Sequence, residues 1–181
     1  MTEENIDVVL DAYEEIGERV IFSPMVFDIP AVAMLRYRDL LPPDIQEMMG
    51  TEAGDPGEQL NMLETQIRRR PAKGVTHWAV GPFAPQRCTI ELLSGCADIA
   101  ERHDLGIYIH VYETRGQVVM AREMYGEYGG SFIKYLDTAG MLNHRLNIAH
   151  SVWISREEMD QMAAADAGAI LCFNSNMKLK S

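Results

Sequence analysis

Short runs of β-branched and aromatic residues alternate with longer segments of helical period along nearly the whole chain. That alternation marks a parallel α/β sheet rather than separate α and β parts. Arg19-Val-Ile-Phe-Ser-Pro-Met-Val-Phe27 reads as a buried strand broken near its end by Pro24. Thr76-His-Trp-Ala-Val80 is a second strand, running into Gly81-Pro-Phe-Ala-Pro85, which is too rich in proline to continue as sheet. Ile107-Tyr-Ile-His-Val111, Arg145-Leu-Asn-Ile-Ala-His150 and Ala169-Ile-Leu-Cys-Phe173 complete a set of five.

The intervening segments carry helix signals. An opening helical stretch runs from Glu3 to Gly17, a glycine suited to a C-cap. From Thr89 to His103 the apolar Leu92, Cys96, Ile99 and Ala100 fall three or four apart, with Glu91 in the first turn and Gly106 beyond the end. Further helical patterns are separated by Gly126 and Gly129-Gly130 and close near Gly140. Ser155-Arg-Glu-Glu158 is a capping box, opening a helix expected to stop at Gly168. Residues from about Ile29 to Arg70 form a long insertion of loops and helices around Pro42-Pro43 and Gly54-Asp-Pro-Gly57, with no strand pattern. No internal repeat or low-complexity tail interrupts the 181 residues, so the chain reads as one domain, 1–181.

With 47% hydrophobic side chains such a chain can bury a core. Its formal net charge of −11 argues against a sequence-independent grip on nucleic acid or anionic lipid. No apolar run reaches the roughly 18 residues of a membrane span, and the acidic Met-Thr-Glu-Glu start is unlike a signal peptide, so the expectation is a cytoplasmic protein with no membrane partner. Cys88, Cys96 and Cys172 are odd in number and form no CxxC pair, which fits a reducing compartment.

The five histidines are not placed alike. His103 sits near a helix C-terminus and His144 in a polar turn, positions that suit solvated or structural roles; His77 begins a strand and is open to either reading. His110 and His150 each close an apolar parallel strand at its C-terminal end, the edge where α/β folds bind ligands. Glu113 follows His110 by three residues. Strand side chains alternate faces, so the two converge only if the chain leaves the strand between them, and the glycine at 116 with the helix after it makes that exit reasonable. Such a pair would set an imidazole able to bind a metal beside a carboxylate able to move protons; a hydrogen-bonded buried histidine is the bland alternative. Cys88, just before a helix N-terminus, could act as a nucleophile through a lowered pKa, although no histidine partners it. Met120, Met124, Met159 and Met162 read as core filling. The sequence has no GxxxxGK[ST], GxGxxG after a strand, or GxSxG.

Gly81-Pro-Phe-Ala-Pro85, Cys88-Thr-Ile-Glu-Leu-Leu93, His110-Val-Tyr-Glu-Thr114, Tyr135-Leu-Asp-Thr-Ala-Gly-Met-Leu142, Ala149-His-Ser-Val-Trp153, Ser155-Arg-Glu-Glu158 and Asn174-Ser-Asn-Met-Lys-Leu179 occur in this order. Together they resemble the amidohydrolase superfamily, in its cytosine deaminase and triazine chlorohydrolase branch, from about Arg19 to the last residue. The resemblance implies a metal-dependent (β/α)8 barrel, the TIM fold, that hydrolyses C–N or, less often, C–Cl bonds of small heteroaromatic substrates. It implies one divalent ion, zinc or iron, with His110 as a ligand. It makes Glu113 the proton shuttle, and has His150 hydrogen-bond the metal-bound water or the substrate. Asn174, Ser175 and Asn176 would sit at the barrel mouth, lining the pocket or holding the loop. Trp153 and Phe83 could stack on a flat ring, with a core role preferred for Phe83, where several relatives carry histidine. A homo-oligomer is expected.

The family also takes two ligands from an HxH after its first strand and an aspartate after its eighth. This sequence has no HxH, and no aspartate follows Asp166. The chain therefore reads as an internal portion of a barrel, about strands three to seven, inactive by itself because zinc sites normally need three or more protein ligands. The alternative is a non-catalytic α/β domain that self-associates or binds a partner, since five strands leave two open sheet edges.

Overall fold

The computed structural model describes residues 3–35, 37–50, 53–74 and 76–180. In chain order its elements are α1 (Glu3–Ile16), β1 (Val20–Phe22), β2 (Met25–Val26), α2 (Pro43–Met48), α3 (Pro56–Arg69), β3 (Thr76–Pro82), α4 (Ile90–Arg102), β4 (Gly106–Val111), α5 (Arg115–Met124), α6 (Phe132–Thr138), β5 (Leu146–His150), α7 (Arg156–Ala164), β6 (Gly168–Ile170) and α8 (Phe173–Leu179). Short 3-10 turns at Ala31–Met34, Arg38–Leu40, Pro85–Arg87 and Gly126–Tyr128 fill the connections. The strands form one parallel sheet in the order β1, β3, β4, β5, β6, with β2 also on β3. No helix among the described residues is long and apolar enough to cross a membrane.

Caps fix where the main helices begin. Asp55, Thr89, Ser131 and Ser155 each accept a backbone N–H of the first turn of α3, α4, α6 and α7. Ser155 and Glu158 satisfy each other's donors in a complete capping box.

Four boundaries differ from the sequence reading. The run Arg19 to Phe27 is two strands, parted at Ser23-Pro24, and Gly81 of β3 lies so close there that a Cβ would stand 2.5 Å from the Ser23 hydroxyl oxygen. β3 continues through Gly81 and Pro82 to pair with Met25 and Val26, because the neighbouring Phe83 N–H donates to the Val26 carbonyl at 2.9 Å and offsets the donor that proline lacks. The capping-box helix stops at Ala164 rather than Gly168. Asp166 takes the left-handed conformation (φ 56°) while the Ala167 N–H closes back on the Met162 carbonyl, a Schellman-type end. β6 ends at Ile170, and Phe173 already opens α8.

The core lies between the sheet and its helices. Leu92, Leu93, Cys96 and Ile99 of α4 pack with Val80, Ile107, Ile109, Val111, Leu146 and Ile148 of the central strands. Phe132, Ile133, Leu136 and Met141 extend this layer at one end, and Ile6, Leu10, Leu63 and Trp78 at the other. Met162 is buried and Met120 packs against the core, but Met124 and Met159 are exposed and fill no core. The residues of β4 alternate, with Ile107, Ile109 and Val111 buried under the helices and Tyr108 and His110 half-open on the other face. At the flanks, β1 exposes Ile21 and β6 leads into Leu171, 70% exposed.

Candidate active site

The C-terminal ends of β4 and β5 build the site. His110 is the penultimate residue of β4, and Phe83, just past β3, presents its carbonyl to the imidazole Nδ1 at 2.7 Å. A carbonyl accepts, so Nδ1 carries a proton, and in the neutral ring Nε2 keeps its lone pair. This is the arrangement in which a histidine ligates a metal through Nε2 with its other nitrogen anchored. The Phe83 ring lies 5.4 Å from the His110 ring, and Arg87 reaches over both Phe27 and Phe83.

The chain leaves the strand at Tyr112, whose φ of 54° is left-handed. For a non-glycine residue that conformation costs on the order of 1 kcal/mol. It turns the Tyr112 side chain into the core against Phe132 and brings Glu113 toward β5. Period two would send His150 to the same face as Leu146 and Ile148, but His150 and Ser151 are also left-handed, with φ of 73° and 52°. The His150 ring accordingly lies 5.6 Å from that of His110, with Nε2 3.3 Å from Glu113 Oε1. Its Nδ1 lies 2.7 Å from Asn176 Oδ1 of α8, and the Glu113 backbone N–H donates to Gln117 Oε1 at 2.8 Å. His150 is buried and Glu113 is half-buried.

The remaining candidates are distributed around this group. Asn174 is exposed on α8, and Trp153, half-buried after β5, carries the Arg115 guanidinium 4.3 Å over its ring. His77 and His144 are exposed, and His103 bonds Glu64 at 2.9 Å. Cys88 is fully buried and burial pushes its thiol up to about 12, which removes it as a nucleophile.

A second polar cluster backs the site. The Tyr112 hydroxyl donates to Glu158 Oε1 at 2.6 Å, as does the Ser131 hydroxyl, while the Ser155 hydroxyl and N–H donate to Oε2. Burial works to raise the Glu158 pKa, yet these hydrogen bonds outweigh it and hold the carboxylate below its usual range. Burial, joined by the hydrogen bond to Glu158, pushes the Tyr112 phenol up. The Ser155-x-x-Glu158 spacing marks Glu158 only as a local cap.

The described residues fit one corner of a metal site. His110 has the anchoring of a ligand, but no group of three or more His, Cys, Asp or Glu converges that could hold an ion alone.

The model of the Amidohydrolase family matches residues 1–181. The 5'-deoxyadenosine deaminase of Methanothermobacter thermautotrophicus is 40% identical over 103 residues, covering 57% of this chain and 23% of that protein. The zinc-bound adenosine deaminase of Xanthomonas campestris superposes with a TM-score of 0.75 at 20% identity, over 97% of this chain and 35% of that one. The atrazine chlorohydrolase of Arthrobacter aurescens, complexed with zinc, gives a TM-score of 0.74 at 20% identity, over 96% and 36%. The chain thus spans about a quarter to a third of the length of these relatives. Its parallel α/β sheet corresponds to part of the amidohydrolase (β/α)8 barrel. With the family model covering every residue, this chain belongs to the amidohydrolase family.

Proposed function

We propose that the chain carries part of the site of a metal-dependent hydrolase that cleaves C–N bonds other than peptide bonds, as an aminohydrolase of a heteroaromatic ring. The observation that carries this reading is the Glu113 carboxylate 3.3 Å from His150, beside a His110 ring anchored through Nδ1. Glu113, half-buried, is placed to take a proton from an attacking water and pass it to the ring nitrogen or the departing amine. His150, whose Nδ1–H donates to Asn176 Oδ1, can as the imidazolium donate through Nε2 to the oxygen that becomes negative as water adds. The deaminase relative favours deamination over loss of chloride. A divalent ion at His110, zinc in preference to iron given the zinc-bound neighbours, would need ligands beyond the described residues. The chain by itself is accordingly inactive in this reading.

Trp153, Asn174 and Asn176 are the proposed substrate contacts. The first follows the C-terminal end of β5 and the other two that of β6, and the buried Trp153 indole N–H has no hydrogen-bond partner among the described residues. In the full product of the gene, His110→Ala should release the bound metal and abolish ammonia production from purine nucleosides. Undiminished metal content and turnover in that variant would sink the proposal.

The open edges at β1 and β6, with Ile21 and Leu171 exposed beside them, favour a second reading: a non-catalytic sheet that pairs with another copy. Sedimentation of the 181-residue chain tests it, with a concentration-independent monomer as the contrary result.

A further inference from the structure

Glu158 is 7% exposed, yet its carboxylate has four donors within hydrogen-bond reach, from three separate segments. Tyr112 Oη comes from the exit of β4, Ser131 Oγ from the cap of α6, and Ser155 Oγ and N–H from the cap of α7. The Tyr112 hydroxyl also accepts the Phe132 N–H at 3.0 Å, so its proton must go to Glu158. The Tyr112 carbonyl accepts the Trp153 N–H and the Val111 carbonyl the Ser151 N–H, joining the exits of β4 and β5. A capping box needs only one carboxylate oxygen, Oε2; the other is committed to residues far along the chain.

We propose that Glu158 is a positioning residue, which through the Tyr112 hydroxyl pins the left-handed bend at Tyr112 and thereby sets where Glu113 meets His150. Tyr112 is the link because its backbone is the hinge between His110 and Glu113, and its side chain ends on Glu158 rather than in the site. Tyr112, bent into a conformation that non-glycine residues rarely adopt, needs a partner that holds it there. The Tyr112 ring stacked on Phe132 fixes the direction of approach, and the hydroxyl between Glu158 and the Phe132 N–H fixes its depth. The inference rests on Glu113 and His150 being the reacting pair, but concerns their geometry and is readable without turnover.

The test is the histidine ring 15N spectrum of the full 181-residue chain at fixed pH, with thermal unfolding in parallel. Glu158→Gln should displace the His150 Nε2 resonance, which reports the facing Glu113 carboxylate, and leave the Nδ1 resonance, which reports Asn176, nearly in place. Tyr112→Phe keeps the ring against Phe132 and removes only the hydroxyl. It should displace the same resonance in the same direction, and the double variant should move it no further. A purely structural Glu158 would lower the unfolding temperature and leave Nε2 where it was. An unmoved Nε2 resonance in folded Glu158→Gln or Tyr112→Phe overturns the proposal. A product that releases no ammonia would overturn the hydrolase reading while leaving this result unaffected, so the two failures are distinguishable.

Discussion

His110 and Glu113 both come within reach of His150, and the chain between them turns left-handed at Tyr112, the departure from the strand that the HxxE spacing already required. What the spacing could not show is what holds the turn. Ser155-x-x-Glu158 is legible as a local cap, whereas Tyr112 and Ser131, 46 and 27 residues away, bond a carboxylate oxygen that no local pattern assigns. Cys88 shows the opposite error: its place before a helix suggests a reactive thiolate, but burial decides and pushes the thiol up. Cys96 is likewise buried and its thiol raised, while Cys172 is only half-buried. A thiol reagent such as DTNB near neutral pH should therefore titrate one of the three cysteines quickly and the other two only after unfolding. Fast modification of Cys88 in the native chain would contradict the burial described here.

Between elements, the same physics gives changes that can be measured separately. Ile148 of β5 is fully buried among β4 and the helices, and Ile148→Ala should cost about 2–5 kcal/mol in chemical denaturation. The Asp55 side chain accepts the Glu58 N–H at 2.7 Å at the start of α3, so Asp55→Ala should cost about 1 kcal/mol. Glu64 of α3 accepts from Arg102, the last residue of α4, and from His103 just beyond it; the His103 hydrogen bond leads, against burial, in lowering its pKa below the ordinary 4.5. A depressed carboxylate stabilises the fold above its unfolded pKa. That contribution is lost as pH falls below about 4.5 and through the folded value. Urea unfolding across the acid range should therefore show a decline that Glu64→Gln makes shallower; an identical pH profile in the variant would contradict the α3–α4 link. Strand positions were readable from β-branched runs, but their ends were not. Pro82 stays in the sheet because Phe83 supplies the missing bond, and Asp166 closes α7 in the place where Gly168 looked like the natural stop.

For the molecule as a whole, the order β1, β3, β4, β5, β6 gathers the strand ends onto one edge, and the histidines at the ends of β4 and β5, His110 and His150, come together there. That grouping was legible because parallel strands collect their C-terminal ends on one side. The orientation of His150 was not, since period two points it into the helix layer until the left-handed backbone turns it back. In the proposed reading Glu113 moves protons in a hydrolytic site shared with His110 and His150. The most direct measurement is ammonia release from a purine nucleoside by the full product of the gene, wild type against Glu113→Gln, with bound zinc quantified in both. Without the shuttling carboxylate the rate should fall about 10²–10⁴-fold at unchanged zinc content. A Glu113→Gln protein that holds its zinc and turns over at the wild-type rate would contradict it.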